Sequence, residues 1–172
     1  GYYAGMCYTF FNKLHAGYYQ VVEDIPPGSL LQASFYAHAW TSNRDYPPIT
    51  DRTGDPKAFY FRVGIDPTGG TDAFSSDIMW SEKAYIYDEF EQVGPVKAVV
   101  GEVGTATMFM EAYGRWPNKH NDAYWDNPSL VLATASDLQI QSTHFNEDPT
   151  ESPRQEQNTQ WKTSFVAGNS LP

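Results

Sequence analysis

Aromatic rings and hydrogen-bonding groups recur at every second position in three stretches of this sequence. Successive side chains of a β-strand point to opposite faces, so residues two apart share a face. Sugar rings have apolar C–H faces that stack on aromatic rings, and hydroxyls that suit charged partners. If the three strands share a sheet, the pattern predicts one carbohydrate-binding face. Its residues would be Tyr36, His38 and Trp40, then Tyr60 and Arg62, then Phe109, Glu111 and Tyr113.

A second interpretation of this aromatic row carries about the same weight. The face could be covered by the chain's own tail, by a loop or by another subunit, because exposed aromatic surface usually has a partner. The residue types alone do not separate a ligand face from a covered one.

Acidic and hydroxyl side chains surround a glycine turn in the middle of the chain. Asp66, Thr68, Asp72 and Asp77 offer hard oxygen ligands on a loop, which suits calcium. The spacing is not that of an EF-hand. The alternative, that Asp66 and Asp72 cap tight turns through their own backbone, is favoured over metal binding.

Catalytic patterns are weak in this sequence. The histidines His15, His38, His120 and His144 are scattered, with no pair at metal-ligand spacing. There is no Gly-x-Ser-x-Gly elbow. A glycosidase needs two carboxylates at a set separation, and the sequence cannot place Glu111 relative to Asp88 or Glu91. We therefore expect a protein that is not an enzyme.

The remaining pattern is that of an all-β domain. Along residues 30–40, Leu31, Ala33, Phe35, Ala37 and Ala39 alternate with polar or aromatic residues and predict a core face. Residues 120–131 predict a closing strand that is kinked at Asn127-Pro128, because proline is tolerated at an edge or a bulge. Many short strands separated by turn signals predict a β-sandwich over residues 1–135.

The chain changes character after residue 135, and we expect a C-terminal extension over residues 136–172. Residues 146–158 are polar, charged and proline-containing, like a linker. Residues 159–167 return to a strand pattern in which Trp161, Thr163 and Phe165 share a face. Such a segment could add a strand to a neighbouring subunit and build a filament.

Composition limits the partners and the compartment. The formal net charge is −10, and no basic stripe is present to displace counterions from nucleic acid, so a nucleic-acid partner is not expected. No apolar run is long enough to span a membrane. Cys7 is the single cysteine, so no intrachain disulfide can form. We expect its side chain to be buried as a small apolar group. The abundant Tyr, Trp, Asn, Thr and Gly favour an extracellular or cell-surface location.

Two stretches resemble the secreted jelly-roll carbohydrate-binding modules of families 4, 9, 16 and 22, a galactose-binding-domain-like β-sandwich. One runs from Gly17-Tyr18-Tyr19-Gln20 through Pro27-Gly28-Ser29 into Ser34-Phe35-Tyr36. The other is Asn121-Asp122-Ala123-Tyr124-Trp125-Asp126 followed by Ser129-Leu130. The resemblance covers about residues 16–133.

The resemblance implies a jelly roll of two antiparallel sheets and a bound glycan, and it allows a structural calcium held by Asp122 and Asp126. Two features depart from it: Asn127-Pro128 follows Asp126 where an Asp-Asp pair is usual, and the tail from Ser136 has no counterpart.

Two functions follow from these observations. The first is a non-catalytic carbohydrate-binding module that uses the aromatic face, with Tyr36, Trp40, Tyr60 and Tyr113 stacking on the sugar and His38, Arg62 and Glu111 hydrogen-bonding to it. The alternative is a structural subunit of an extracellular filament or sheath, assembled by donor-strand pairing through the C-terminal extension.

Overall fold

The computed structural model describes residues 4–44, residues 55–133 and the backbone of residues 162–166. These residues form β-strands joined by turns and loops, without a helix. The strands are β1 (Gly5–Thr9), β2 (Leu14–Val22), β3 (Leu30–Ser42), β4 (Phe59–Asp66), β5 (Met79–Trp80), β6 (Glu91–Val99), β7 (Ala106–Gly114), β8 (His120–Leu132) and β9 (Lys162–Val166).

The strands form two antiparallel sheets that pack face to face. The four-stranded sheet has the order β1-β8-β3-β6, and the five-stranded sheet has the order β5-β4-β7-β2-β9. The predicted all-β jelly-roll sandwich is confirmed. Within the described part of the chain, no helix is long and apolar enough to cross a membrane.

The core lies between the two sheets and follows the predicted alternation. On β3, Ala33, Phe35, Ala37 and Ala39 are all fully buried. Phe35 meets Phe61 of β4 edge to face, with 6.5 Å between ring centroids. Because small alanines line this face of β3, the large rings of the opposite sheet can fill the space at close-packed density. Cys7 is half-buried and packs against this core, where burial raises the pKa of its thiol.

β8 is kinked where the sequence predicted it. Asn127 has a φ of 46°, and the pairing of β8 with β3 shifts register between Ser34 and Tyr36. β1 pairs with β8 only along residues 121–125, so Pro128 has no neighbouring strand on that side among the described residues. Proline lacks a backbone N–H, and here no ladder hydrogen bond with β1 is lost.

The last described strand, β9, falls inside the strand predicted for residues 159–167. It pairs with β2 of the same chain, with Gly17 opposite Phe165 and Tyr18 opposite Thr163. Residues 134–161, which include Trp161, lie outside the described residues, so the boundary at residue 135 stays a prediction.

The segment between β4 and β6 lies over the outer face of the five-stranded sheet. It brings Ala73, Ile78 and Trp80 onto Phe109, which is fully buried in this second apolar cluster. Gly64 makes the contact possible: a Cβ there would lie 2.6 Å from Ile78 and 2.7 Å from Trp80. The five-stranded sheet is therefore buried on both faces around Phe109.

Candidate functional site

The two sheets divide the predicted ligand residues between opposite sides of the molecule. Tyr36, His38 and Trp40 lie on β3 in the four-stranded sheet. The other five lie on β4 and β7 in the five-stranded sheet; they are Tyr60, Arg62, Phe109, Glu111 and Tyr113. The prediction of one continuous face is therefore wrong. Alternation identified the outward side chains, but it carries no information on which strands become neighbours.

On the five-stranded sheet, the covered-face interpretation is the one the structure supports for two of these residues. Phe109 is 0% exposed and Glu111 is 2% exposed. Glu111 Oε1 lies 2.8 Å from His15 Nε2 and accepts a hydrogen bond of 3.1 Å from Arg62 Nη2, while Oε2 accepts one from Arg62 Nε. Its two oxygens are thus held by side chains of this chain. A ligand would have to displace His15 or Arg62 before it could reach Glu111.

The pKa of Glu111 reflects a balance between burial and these partners. Burial raises the pKa, but the hydrogen bonds from His15 and Arg62 and the nearby charge of Arg62 outweigh it, so the pKa lies below its usual range. The neighbouring Tyr60 shows the opposite shift. Burial and the charge of Glu111 raise the pKa of Tyr60 to about 12. At neutral pH the Glu111 carboxylate is therefore charged and the Tyr60 hydroxyl is neutral.

Tyr60 and Tyr113 of this sheet contact each other, and Lys83 lies over the ring of Tyr60. The rings of Tyr60 and Tyr113 stack with 5.3 Å between centroids, and Lys83 Nζ lies 4.3 Å from the Tyr60 centroid. Tyr85 meets the edge of Tyr60 at 6.4 Å. A sugar would have to displace these contacts before it could stack on Tyr60.

The outer face of the four-stranded sheet has a different character, which the strand register defines. Three rows of side chains run across the strands, because directly paired residues point to the same face. The rows are Tyr8–Asp122–Trp40, Met6–Tyr124–His38 and Asp126–Tyr36–Gln92. Each row places at least one ring beside a polar or flexible side chain.

Ring contacts join these rows to the loops at their ends. Trp40 stacks on His120 with 4.8 Å between centroids, and the edge of Phe10 meets His120 at 5.2 Å. His38 lies 5.5 Å from Phe90 and 5.2 Å from Tyr124. We call this surface the aromatic face; it consists of Tyr8, Phe10, Tyr36, His38, Trp40, Phe90, His120 and Tyr124.

Several rings of the aromatic face remain open to solvent. Tyr8 is 54% exposed, Phe10 55%, Phe90 46% and Tyr36 40%. Exposed aromatic side chains that adjoin one another are unusual on a soluble domain and mark binding surfaces. Burial lowers the pKa of His38, although the nearby charge of Asp88 raises it. The lowered pKa favours the neutral imidazole.

Two polar atoms within this face lack partners. Trp40 and Asp122 are opposite each other in register, and both Trp40 Nε1 and Asp122 Oδ1 are buried without a hydrogen bond to the described residues. Asp122 is 5% exposed, and burial raises the pKa of its carboxyl although the charge of His120 lowers it.

Sequence reasoning found Tyr36, His38 and Trp40 on this face but missed Tyr8, Phe10, Phe90, His120 and Tyr124. A signal was present in residues 120–126, where His120, Asp122, Tyr124 and Asp126 occupy every second position. That alternation matches the one on β3, and the two strands are neighbours.

The carboxylates predicted for calcium do not come together. Asp66 Oδ1 accepts hydrogen bonds from the backbone and hydroxyl of Thr68, and Asp72 Oδ1 accepts one from the backbone of Phe74, so both cap their own turns. Asp122 and Asp126 are four residues apart on β8, about 13 Å along a strand. They cannot share an ion. Within residues 4–44 and 55–133, no three His, Cys, Asp or Glu side chains come together in a way that could hold a metal, and a structural calcium stays a prediction.

Comparison with known proteins gives a likeness at the level of the fold. No protein-family model matches the sequence, and no curated protein matches it. A solved structure of the carbohydrate-binding module TmCBM61, in complex with β-1,4-galactotriose, is 12% identical with a TM-score of 0.51. The likeness covers 77% of this chain and 72% of that one.

A second solved structure is the enzymatically active domain of tailspike protein 4 from bacteriophage CBA120. It is 13% identical with a TM-score of 0.44 over 69% of this chain and 14% of that chain, which is too distant to support an argument. The sandwich of this chain is therefore similar in fold to a carbohydrate-binding module.

Proposed function

We propose that this chain is a non-catalytic carbohydrate-binding module that holds a glycan against the aromatic face of the four-stranded sheet. The observation that carries the proposal is the set of exposed rings on one face, Tyr8, Phe10, Tyr36 and Phe90, of which Tyr8 and Phe10 meet edge to face with 5.4 Å between centroids. The fold supports it, because the similar sandwich of TmCBM61 has been solved with β-1,4-galactotriose. An extracellular or cell-surface location belongs to the same proposal.

The chemistry of the aromatic face suits a sugar. Rings of Tyr and Phe offer flat apolar surfaces to the C–H faces of a pyranose, and the phenol hydroxyls of Tyr8 and Tyr36 can bond at its rim. Gln92 and Asp126 flank Tyr36 in its row and supply further hydrogen-bonding groups. The aromatic face replaces the mixed set of ligand residues expected from the sequence: Tyr60, Arg62, Phe109, Glu111 and Tyr113 have no part in it.

Affinity electrophoresis on a panel of neutral polysaccharides tests the proposal, with β-1,4-galactotriose, cellotriose, mannotriose and xylotriose as soluble competitors. Wild-type chain should be retarded on at least one gel, and Tyr36→Ala together with Phe90→Ala should abolish the retardation. Tyr85→Ala is the matched control, because Tyr85 is also exposed but lies against the opposite sheet. Its retardation should equal that of the wild type.

If the wild-type chain is retarded on none of the gels, the chain does not bind the polysaccharides of this panel. If Tyr85→Ala, and not the Tyr36 and Phe90 variant, loses retardation, the site lies on the five-stranded sheet and the proposed face is wrong.

One observation favours the alternative, a filament subunit. β9 pairs with β2 through backbone groups and forms the edge of the five-stranded sheet, and residues 133–161 separate it from β8. A connection of this length could let β9 pair with β2 of a second copy, which is donor-strand assembly. The mass of the chain in solution distinguishes the two functions.

A further inference from the structure

Among the described residues of the aromatic face, the buried polar atoms without a hydrogen-bond partner are Trp40 Nε1 and Asp122 Oδ1, at directly paired positions. Trp40 Nε1 can only donate a hydrogen bond, and Asp122 Oδ1 accepts one when the carboxyl is ionised. Buried polar groups almost always have partners, because leaving one without a partner lowers stability. Two such groups at directly paired positions would both gain a hydrogen bond from a ligand that reached them.

We propose that Trp40 and Asp122 form the polar subsite of the aromatic face, and that this subsite takes adjacent hydroxyls of an uncharged sugar residue. The inference rests on the proposed function. It names the class of sugar and the two protein atoms that hydrogen-bond to it.

The complementarity of the two atoms selects this class of ligand. A hydroxyl both donates and accepts, so neighbouring hydroxyls can accept from Trp40 Nε1 and donate to Asp122 Oδ1 together. A sugar carboxylate or sulfate could accept from the indole, but its charge would repel Asp122 in a poorly solvated place. An ammonium group could pair with Asp122, but it could not accept from Trp40. Of these three kinds of sugar group, only the hydroxyls of an uncharged residue satisfy both atoms.

The strand register also indicates how a ligand reaches these atoms. Asp122 has Trp40 on one side and Tyr8 on the other. Within the described part of the chain, Tyr8 stands on the edge strand β1, and it is 54% exposed. In the proposed complex the Tyr8 ring turns outward, which uncovers Asp122 and leaves the ring free to stack on the bound sugar.

Conservative variants separate this role from a structural one. Trp40→Phe removes the donor but keeps a ring, and Asp122→Asn removes the charge but keeps the shape. Each should weaken binding of the preferred neutral trisaccharide by about tenfold or more in titration calorimetry, since a hydrogen bond within such a site is worth roughly that factor. The melting temperature of Asp122→Asn should stay the same or rise, because a neutral amide replaces a carboxyl group that has one buried oxygen without a partner.

Trp125→Phe is the matched control. Trp125 Nε1 is also buried without a partner in the described structure, but its ring lies in the core between the sheets, against Tyr18 and Phe61. The same substitution there should leave affinity within about twofold of the wild type, because the ring does not reach the aromatic face.

A comparison of sugars on the unaltered chain tests the class of ligand without any variant. The β-1,4-linked trisaccharides of mannose and of mannuronate differ only in a carboxylate on each ring. The neutral one should bind at least tenfold more tightly. Equal or tighter binding of the mannuronate would overturn the inference while leaving carbohydrate binding intact.

Two further outcomes count against the inference. If Tyr36→Ala abolishes binding but Trp40→Phe and Asp122→Asn do not weaken it, the aromatic face binds sugar without this subsite. If Asp122→Asn loses affinity and its melting temperature falls as well, Asp122 supports the fold and does not read the ligand. Absence of binding by the wild-type chain to every sugar would overturn the proposed function together with the inference.

Discussion

Arg62 on β4 and Glu111 on β7 are directly opposite each other in the strand pairing. Two nitrogens of the Arg62 guanidinium group donate to the Glu111 carboxylate, and the same group lies over the ring of Trp80. The guanidinium carbon of Arg62 is 3.9 Å from the Trp80 ring centroid. Trp80 belongs to β5, at the end of the segment that covers this sheet. The ion pair therefore orients the side chain against which the covering segment packs.

Glu111→Gln should destabilise the domain. The amide side chain would keep the volume but lose the charge that balances Arg62, and removing one partner of a buried ion pair costs up to several kcal/mol. Because Arg62 is partly open to solvent, we expect a loss of about 2 kcal/mol in the free energy of unfolding. Urea unfolding followed by tryptophan fluorescence measures it.

The surface pair Arg115–Asp55, at 3.7 Å, offers a control for this prediction. Arg115→Gln should leave the urea midpoint unchanged, since exposed ion pairs contribute little and the Arg115 side chain is 59% exposed. Equal midpoints for Glu111→Gln and wild type would show that the buried pair does not hold the sheet.

The lowered pKa of Glu111 predicts how stability depends on pH. The folded pKa lies below the unfolded value, so the unfolded chain binds the proton first as the pH falls. The contribution of Glu111 is fully present above its ordinary pKa, about 4.3, and disappears as the pH drops through the folded value. Between pH 7 and pH 3, wild type should lose more stability than Glu111→Gln, measured by urea unfolding at each pH. Parallel curves for the two proteins would contradict the pKa shift.

Gly64→Ala should loosen the covering segment from the five-stranded sheet. The new methyl group would overlap Ile78 and Trp80, whose atoms lie 2.6 and 2.7 Å from the Cβ position. Overpacking of this kind typically costs about 1–3 kcal/mol. We expect a lower melting temperature and faster proteolysis within residues 67–90.

Gly5→Ala is the matched substitution, since a Cβ at Gly5 would meet Tyr18 at 3.4 Å, an ordinary contact distance. It should leave both the melting temperature and the proteolysis rate near the wild-type values. A Gly64→Ala chain as resistant as Gly5→Ala would mean that Trp80 does not pack firmly on β4.

The sequence predicted the inner and outer faces of individual strands well, because alternation is a local property of the backbone. On β3, Ala33 and Phe35 are buried and Tyr36 is exposed, as expected. The predicted turn chemistry of Asp66 was also recovered, because an Asx turn involves only residues close in sequence.

The assembly of strands into sheets could not be predicted, because it depends on contacts between residues far apart in the chain. Trp40 and Asp122 lie more than eighty positions apart by number, yet they are direct neighbours. Nothing local to Tyr60 shows that β4 pairs with β7 and not with β3. The contact of Ala73, Ile78 and Trp80 with Phe109 is also between residues far apart in the chain. The sequence of β7 alternates like that of a strand with one open face, although both of its faces are buried around Phe109.

Removal of residues 134–172 should change how the chain behaves in solution. β9 occupies the edge of β2 by pairing with residues 16–19 in the same chain. Without it the backbone groups of β2 are exposed along that edge, and unpaired edges promote association between chains. We expect the full chain to be monomeric and the truncated chain to self-associate, as measured by light scattering over a range of concentrations.

A synthetic peptide of residues 159–167 is the control for the truncation, because it can pair with β2 and should return the truncated chain to a monomer. The opposite pattern has a clear meaning. If the full chain forms large assemblies and truncation abolishes them, β9 pairs with β2 of a neighbouring copy, and the chain is a filament subunit. In that case the exposed rings of Tyr8, Tyr36 and Phe90 would have to be tested as contacts between subunits, because a glycan would no longer be needed to explain them.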